Sequence, residues 1–183
     1  MTPPTVSSIE ADPHIADSDT TAPEHPRRHR LRQVAVPLVI AALVVAGFLS
    51  IEPVTVGSDS MSPTLVQGQR VIVDKLTYHL RSPHRNELVM FRAPDTGDLT
   101  LKRVVGVAGD TVAIRDGVLT VNRQAQHEPY VNQAEVDSVY FGPVTVPTGT
   151  VFVMGDNRAN SIDSRTFGPV PIGDVIGRVL WKL

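Results

Sequence analysis

Cysteine is absent from the 183 residues, which excludes a disulfide framework, a thiolate metal site and a cysteine nucleophile. That absence does not identify the redox compartment, because a domain of this size can be stabilised by its core alone. There is no basic excess: 17 Lys and Arg stand against 19 Asp and Glu, a formal charge of -2, so nothing points to nucleic acid as a partner. Metal-binding patterns are also missing. The six histidines show no HExxH or His-x-His spacing. Asp95/Asp98 and Asp156/Asp163 lack an EF-hand arrangement, so no metal or other cofactor is expected. Lysine is scarce, with only Lys75, Lys102 and Lys182. Long apolar runs are lacking except for one, so at most one membrane span fits, and the length suits one folded domain with a tail. No internal repeat is present.

What is there divides into three segments. Residues 1–33 hold five prolines and five acids with few large apolar side chains, a composition that cannot offset its ordering entropy, so a disordered tail is expected. Arg27, Arg28, Arg30 and Arg32 crowd at its end. Residues 34–51 then carry no charge and as a helix would span about 27 Å, enough for a bilayer core. A buried core helix would rarely be apolar on every face beside an arginine cluster. A cleaved signal, twin-arginine type included, would have a shorter lead-in and an A-x-A exit, and Ala46-Gly47-Phe48-Leu49-Ser50 offers none. A retained anchor is therefore expected. The first basic residue after it is Arg70, so the positive-inside rule puts the N-terminus in the cytoplasm and residues 52–183 outside.

Residues 52–183 read as strands. Val71–Val73, Leu88–Phe91, Leu99–Val107, Val112–Ile114, Val118–Val121, Val151–Val153 and Val175–Trp181 are short, rich in β-branched residues and punctuated by Gly, Pro, Asn or Asp. Asp116-Gly117 is a two-residue hairpin signal. The expected fold is mainly β, an antiparallel domain.

Two loops differ from ordinary connections. Gly57-Ser58-Asp59-Ser60-Met61-Ser62-Pro63-Thr64-Leu65 has three serines in five positions, and Gly155 to Arg165 is dense in Asn, Asp and Ser directly after an apolar run. The plain reading of each is turn formation. Lys102 is the one lysine inside a long apolar β run. Desolvation there lowers a lysine pKa, and a neutral amine can act as a general base. The alternative is a charged sheet edge. Strand alternation puts Lys102 and Arg103 on opposite faces, which implies that only one of them points inward.

Together these elements resemble type I signal peptidases, membrane-anchored Ser-Lys proteases of bacteria. The resemblance rests on Ser58-Asp59-Ser60-Met61-Ser62-Pro63-Thr64-Leu65, on Lys102-Arg103-Val104-Val105-Gly106-Val107-Ala108-Gly109-Asp110, and on Gly155 to Arg165 continuing into Phe167-Gly168-Pro169-Val170. It implies that Ser60 is the nucleophile, Lys102 its general base and Ser58 an oxyanion donor beside the Ser60 N–H. It also implies that Ser161 orients the lysine, that Asp163 and Arg165 form a supporting ion pair, and that Met61, Leu65 and Leu101 line or adjoin pockets for small side chains. Core packing is an equal reading for Leu65 and Leu101. The implied substrates are secretory preproteins cut after A-x-A-like sites, the implied setting a lipid bilayer, and the implied state a monomer. Asn86-Glu87 replaces a usual Gly-Asp, and Ala159 stands where a polar residue is common; neither touches the proposed catalytic groups. Two alternatives are a Ser-Lys protease dedicated to one substrate and an inactive membrane-anchored binding module. Self-cleaving repressors share the dyad, but the apolar anchor argues against them.

Overall fold

The computed structural model describes residues 35–42, 45, 47, 50–132, 136 and 139–182, so the expected tail over 1–33 lies outside the described residues. The chain divides into two compact units, residues 1–40 and 41–183. In the first, residues 35–40 are exposed helix; in the second, residues 41, 42, 45 and 47 are helical. Among the described residues no helix is long and apolar enough to cross a membrane. Ile51, the last residue of the run expected as an anchor, opens a strand and pairs with Asp74.

The described residues of the second unit form eleven strands: β1 (Ile51–Thr55), β2 (Arg70–Asp74), β3 (Leu88–Arg92), β4 (Leu99–Val107), β5 (Thr111–Arg115), β6 (Val118–Val121), β7 (Gln124–Ala125), β8 (Tyr140–Thr145), β9 (Thr150–Met154), β10 (Val170–Pro171) and β11 (Val175–Lys182). A seven-stranded sheet runs β1-β2-β11-β3-β4-β9-β10 and a four-stranded sheet runs β7-β6-β5-β8. Each pairing is antiparallel. The mainly antiparallel β fold expected from the sequence is thus present. Asp116-Gly117 makes the expected hairpin, joining Arg115 to its partner Val118 with φ of 50° and 78°.

Strands β1, β7, β8 and β10 were not expected. β1 contains Pro53 and β8 contains Gly142-Pro143, both strong breakers within a paired strand. Each of these two strands lies at the edge of its sheet, where a missing N–H costs no ladder bond.

β4 organises the core. Leu99–Arg103 pair with β3 and Arg103–Val107 with β9, so among the described residues Leu99–Lys102 keep one edge unpaired. One apolar cluster, including Val105, Val112, Phe152 and Met154, packs the two sheets together. A second gathers Val89, Phe91, Val104 and Val153, and a third gathers Met61, Leu65, Val71, Val73 and Met90. Burying each such side chain contributes about 1.5–3 kcal/mol.

Candidate active site

Ser60 sits in a single 3-10 turn, Asp59–Met61, that follows β1. Met61 is only 1% exposed, and its side chain, buried with Leu65 and Val71 in the third cluster, pins this turn to the sheet. Lys102 enters from the middle of β4 opposite Val89. Its Nζ lies 2.6 Å from Ser60 Oγ, and Ser60 Oγ lies 3.1 Å from Ser58 Oγ. Ser60 and Lys102 are 8% and 4% exposed. Desolvation pushes the Lys102 pKa down to about 8; Asp163 and, more weakly, Asp156 oppose that shift, while Arg165 adds to it. The structure therefore brings an amine that loses its proton around pH 8, well below the usual lysine range, against a serine hydroxyl.

Asp163, fully buried, is held by several donors. It accepts from the Gly155 N–H at 3.0 Å, from Arg165 Nε and Nη2 at 2.9 Å each, and from the Arg165 backbone N–H at 3.1 Å as N-cap of the helical turn Ser164–Phe167. Ser161 Oγ donates to Asp163 Oδ2 at 2.9 Å. The Ser161 hydroxyl, which the resemblance implies orients the lysine, is bonded to the carboxylate of Asp163, the strongest of the charges acting on Lys102.

Gly155 is required where these pieces meet. A Cβ there would stand 2.3 Å from Ser161 Oγ and 2.5 Å from the Ser60 carbonyl oxygen, so the close approach of the two loops depends on the missing side chain. The Asn157 N–H donates to that same Ser60 carbonyl at 3.1 Å.

Beside the pair opens a cleft of about 280 Å³ lined by Val54, Val56, Ser58, Met61, Met90 and Leu101, among others. Met61 and Leu101 thus reach the cleft with the serines. Leu65, 1% exposed, belongs to the third apolar cluster and does not line it. Met90, Val54 and Val56 were not singled out from the sequence, because a methionine or valine inside a strand carries no signal of a cleft.

Lys102 and Arg103 do point to different partners, but both are buried, which corrects the expectation that one must face solvent. Arg103 donates from Nε and Nη2 to Asp156 at 2.9 and 2.6 Å, and its guanidinium lies 3.7 Å from the centre of the Tyr130 ring. Arg158 makes a matching pair with Glu128, at 2.8 and 2.5 Å. Glu128 and Tyr130 were missed: they lie in an irregular loop, and only the demand of two buried arginines for partners could have pointed to them. Among the described residues no buried side-chain nitrogen or oxygen lacks a partner, and no cluster suits a metal ion.

With this geometry, the chain can be compared with known proteins. Residues 28–183 match the family model described as signal peptidase, peptidase S26. The chain belongs to that family. It is 38% identical to a probable signal peptidase I-1 of Synechocystis, with 80% of each chain covered. It is 34% identical to signal peptidase I of Mycobacterium tuberculosis, covering 94% of this chain and 79% of the relative. A thylakoidal processing peptidase 1 of Arabidopsis thaliana is 40% identical over 72% of this chain and 41% of its own length. Among solved structures, a signal peptidase I from Enterococcus faecalis superposes with a TM-score of 0.50 and 34% identity, covering 55% of this chain and 98% of that one. The S26 family is a peptidase family, so the Ser60 and Lys102 pair lies in a chain of the kind that uses such chemistry.

Proposed function

We propose that the chain is a membrane-anchored serine endopeptidase that removes N-terminal signal peptides from secretory preproteins, cutting after A-x-A-like sites. The observation that carries the reading is the 2.6 Å contact between a buried serine hydroxyl and a buried amine with a pKa of about 8, at the wall of a cleft that joins apolar side chains to serine hydroxyls. The names of the relatives support the substrate class.

Ser60 Oγ attacks the scissile carbonyl while its proton passes to the neutral Lys102 Nζ. The oxyanion that forms takes hydrogen bonds from the Ser58 hydroxyl and the Ser60 N–H, an N–H at the start of its turn where no partner lies within the turn. As the C–N bond breaks, the Lys102 ammonium gives its proton to the leaving amine, and an acyl group remains on Ser60. Water then attacks that ester, its proton going to Lys102. The second collapse returns the proton to Ser60 Oγ and frees the signal peptide. Asp163, held by Arg165 and Ser161, sets the field at Lys102.

Among the described residues, strand β1 and the first half of β4 each keep an unpaired edge, so an extended signal-peptide segment in the cleft finds main-chain partners on both sides. Met61 and Leu101 give that segment an apolar floor suited to small residues, with Leu65 packed behind Met61. Residues 1–33 are a cytoplasmic tail, residues 34–51 the anchor and residues 52–183 the extracytoplasmic domain; the protein works as a monomer without a cofactor. The charge-free run and the arginines before it support this topology.

The test is cleavage of a preprotein with an A-x-A site by the detergent-solubilised full chain. Ser60→Ala and Lys102→Met should each lose at least about 10³-fold in kcat/KM, and Ser58→Ala about 10²–10³-fold. Below pH 8 the wild-type rate should climb with pH as Lys102 sheds its proton. Wild type cleaving no better than Ser60→Ala or Lys102→Met would overturn the reading.

A further inference from the structure

Four buried ionised side chains and a half-buried tyrosine lie next to the candidate site without touching either Ser60 Oγ or Lys102 Nζ: Arg103, Asp156, Glu128, Arg158 and Tyr130. The Glu128 and Arg158 side chains are only 2% and 3% exposed. Such a pair contributes little net stability, because desolvating both charges offsets most of their attraction, and apolar residues of the same volume do as well. Its bonds instead converge on the loop of residues 155–165. Arg158 Nε donates to the Gly155 carbonyl at 3.0 Å, and the Arg158 carbonyl accepts from Arg165 Nη2 at 2.7 Å. Gly155 and Arg165 are the two residues whose N–H groups hold Asp163. On the other side, Tyr130 donates to Glu128 Oε1 at 3.2 Å and covers the Arg103 guanidinium, and Arg103 is the neighbour of Lys102 on β4.

We propose that Glu128 and Tyr130 are positioning residues: acting through Arg158 and Arg103, they clamp the 155–165 loop to β4 and so fix the distance between the Asp163 carboxylate and Lys102. The loop that carries them follows the edge strand β7 of the four-stranded sheet, so the smaller sheet takes part in the site without lining the cleft. With Glu128 neutralised, Arg158 is left as an unpaired buried cation and its side chain leaves its pocket for water, releasing the Gly155 carbonyl and loosening the turn whose Arg158 carbonyl holds Arg165. Asp163 and Arg165 then recede together. The charged groups acting on Lys102 are Asp163 and Asp156, which hold its proton on, and Arg165, which drives it off; Asp163 is the strongest of the three. Loss of the clamp therefore favours the neutral amine and leaves it less well aimed at Ser60.

The inference rests on the catalytic reading for its kinetic arm, but its main measurement does not. The chain has only three lysines, so the Lys102 side chain can be titrated in the full-length, detergent-solubilised protein by NMR of 13C-labelled lysine and assigned through Lys102→Met. In Glu128→Gln the Lys102 midpoint should fall by about half a pH unit or more. At the high-pH plateau kcat should fall about tenfold with KM within about twofold of wild type. Tyr130→Leu should move both quantities in the same direction, and Tyr130→Phe, which keeps the ring over Arg103, should restore most of the kcat. Adding Glu128→Gln to Asp163→Asn should shift Lys102 no further, because the effect travels through that carboxylate. A folded Glu128→Gln protein with wild-type Lys102 titration and kcat overturns the proposal, and if that variant does not fold, the same result for Tyr130→Leu overturns it. Failure of wild type to cleave, with Lys102 still shifting in the variants, would count against the catalytic reading alone.

Discussion

At neutral pH a lysine with a pKa of about 8 keeps its proton most of the time, in a place where the charge is poorly solvated. Unfolding returns that amine to water, where its pKa is 10.5. Between the two values the unfolded chain binds more protons than the folded one, so stability rises with pH across that window and the full penalty is present below it. The cost is on the order of 3 kcal/mol at pH 7. Removing the amine also loses one hydrogen bond to Ser60 Oγ, worth about 1 kcal/mol. Lys102→Met should therefore be more stable than wild type by about 1–2 kcal/mol at pH 6.5, visible as a higher Tm, and the gain should shrink as the pH approaches 10.5. A variant that melts below wild type at pH 6.5 would show that burial of the amine is not strained. Stability given up at the proposed general base is the trade expected of a catalytic group.

Among the elements, β4 bears the heaviest demands, since it presents Lys102 to the serines and Arg103 to the ion network and then runs under the smaller sheet. At Gly106 its ladder with β9 shifts register, and a Cβ there would lie 2.6 Å from Val112 Cγ2 of β5. Gly106→Ala should push the two sheets apart and cost about 1–3 kcal/mol, with a lower Tm; an unchanged Tm would mean that β5 yields freely. The span of β4 was legible in the sequence because its first seven residues, Leu99–Val105, are β-branched or apolar apart from Lys102 and Arg103 and hold no turn residue before Gly106. β1 and β8 were not, since their prolines are tolerable only at an edge, and edge position follows from topology. The same division holds within the site. The serine-rich loop and the isolated Lys102 stand out from composition, whereas the choice of Ser60 and Ser58 within that loop comes from the family resemblance. The partners of Arg103 do not stand out, because Asp156 lies 53 residues away in sequence and the Tyr130 ring covers the guanidinium from a loop without a pattern.

For the whole molecule, the chemistry is useful only if the site stands on the side of the membrane where exported chains emerge. Ser60 follows Ile51 by nine residues, which even fully extended reach about 30 Å, so the nucleophile is tied to the neighbourhood of the proposed anchor's exit. The orientation of that anchor depends on charge rather than on the fold. Arg27, Arg28, Arg30 and Arg32 precede the apolar run, and no basic residue follows it until Arg70, a bias that under the positive-inside rule favours a cytoplasmic N-terminus. In vesicles with the cytoplasmic face outward, added protease should trim the tail and leave residues 52–183 intact. In vesicles of the opposite orientation it should spare the tail and gain access to the catalytic domain. Digestion of the catalytic domain from the cytoplasmic face would reverse the topology, and with it the claim that this serine and lysine meet their substrates after export.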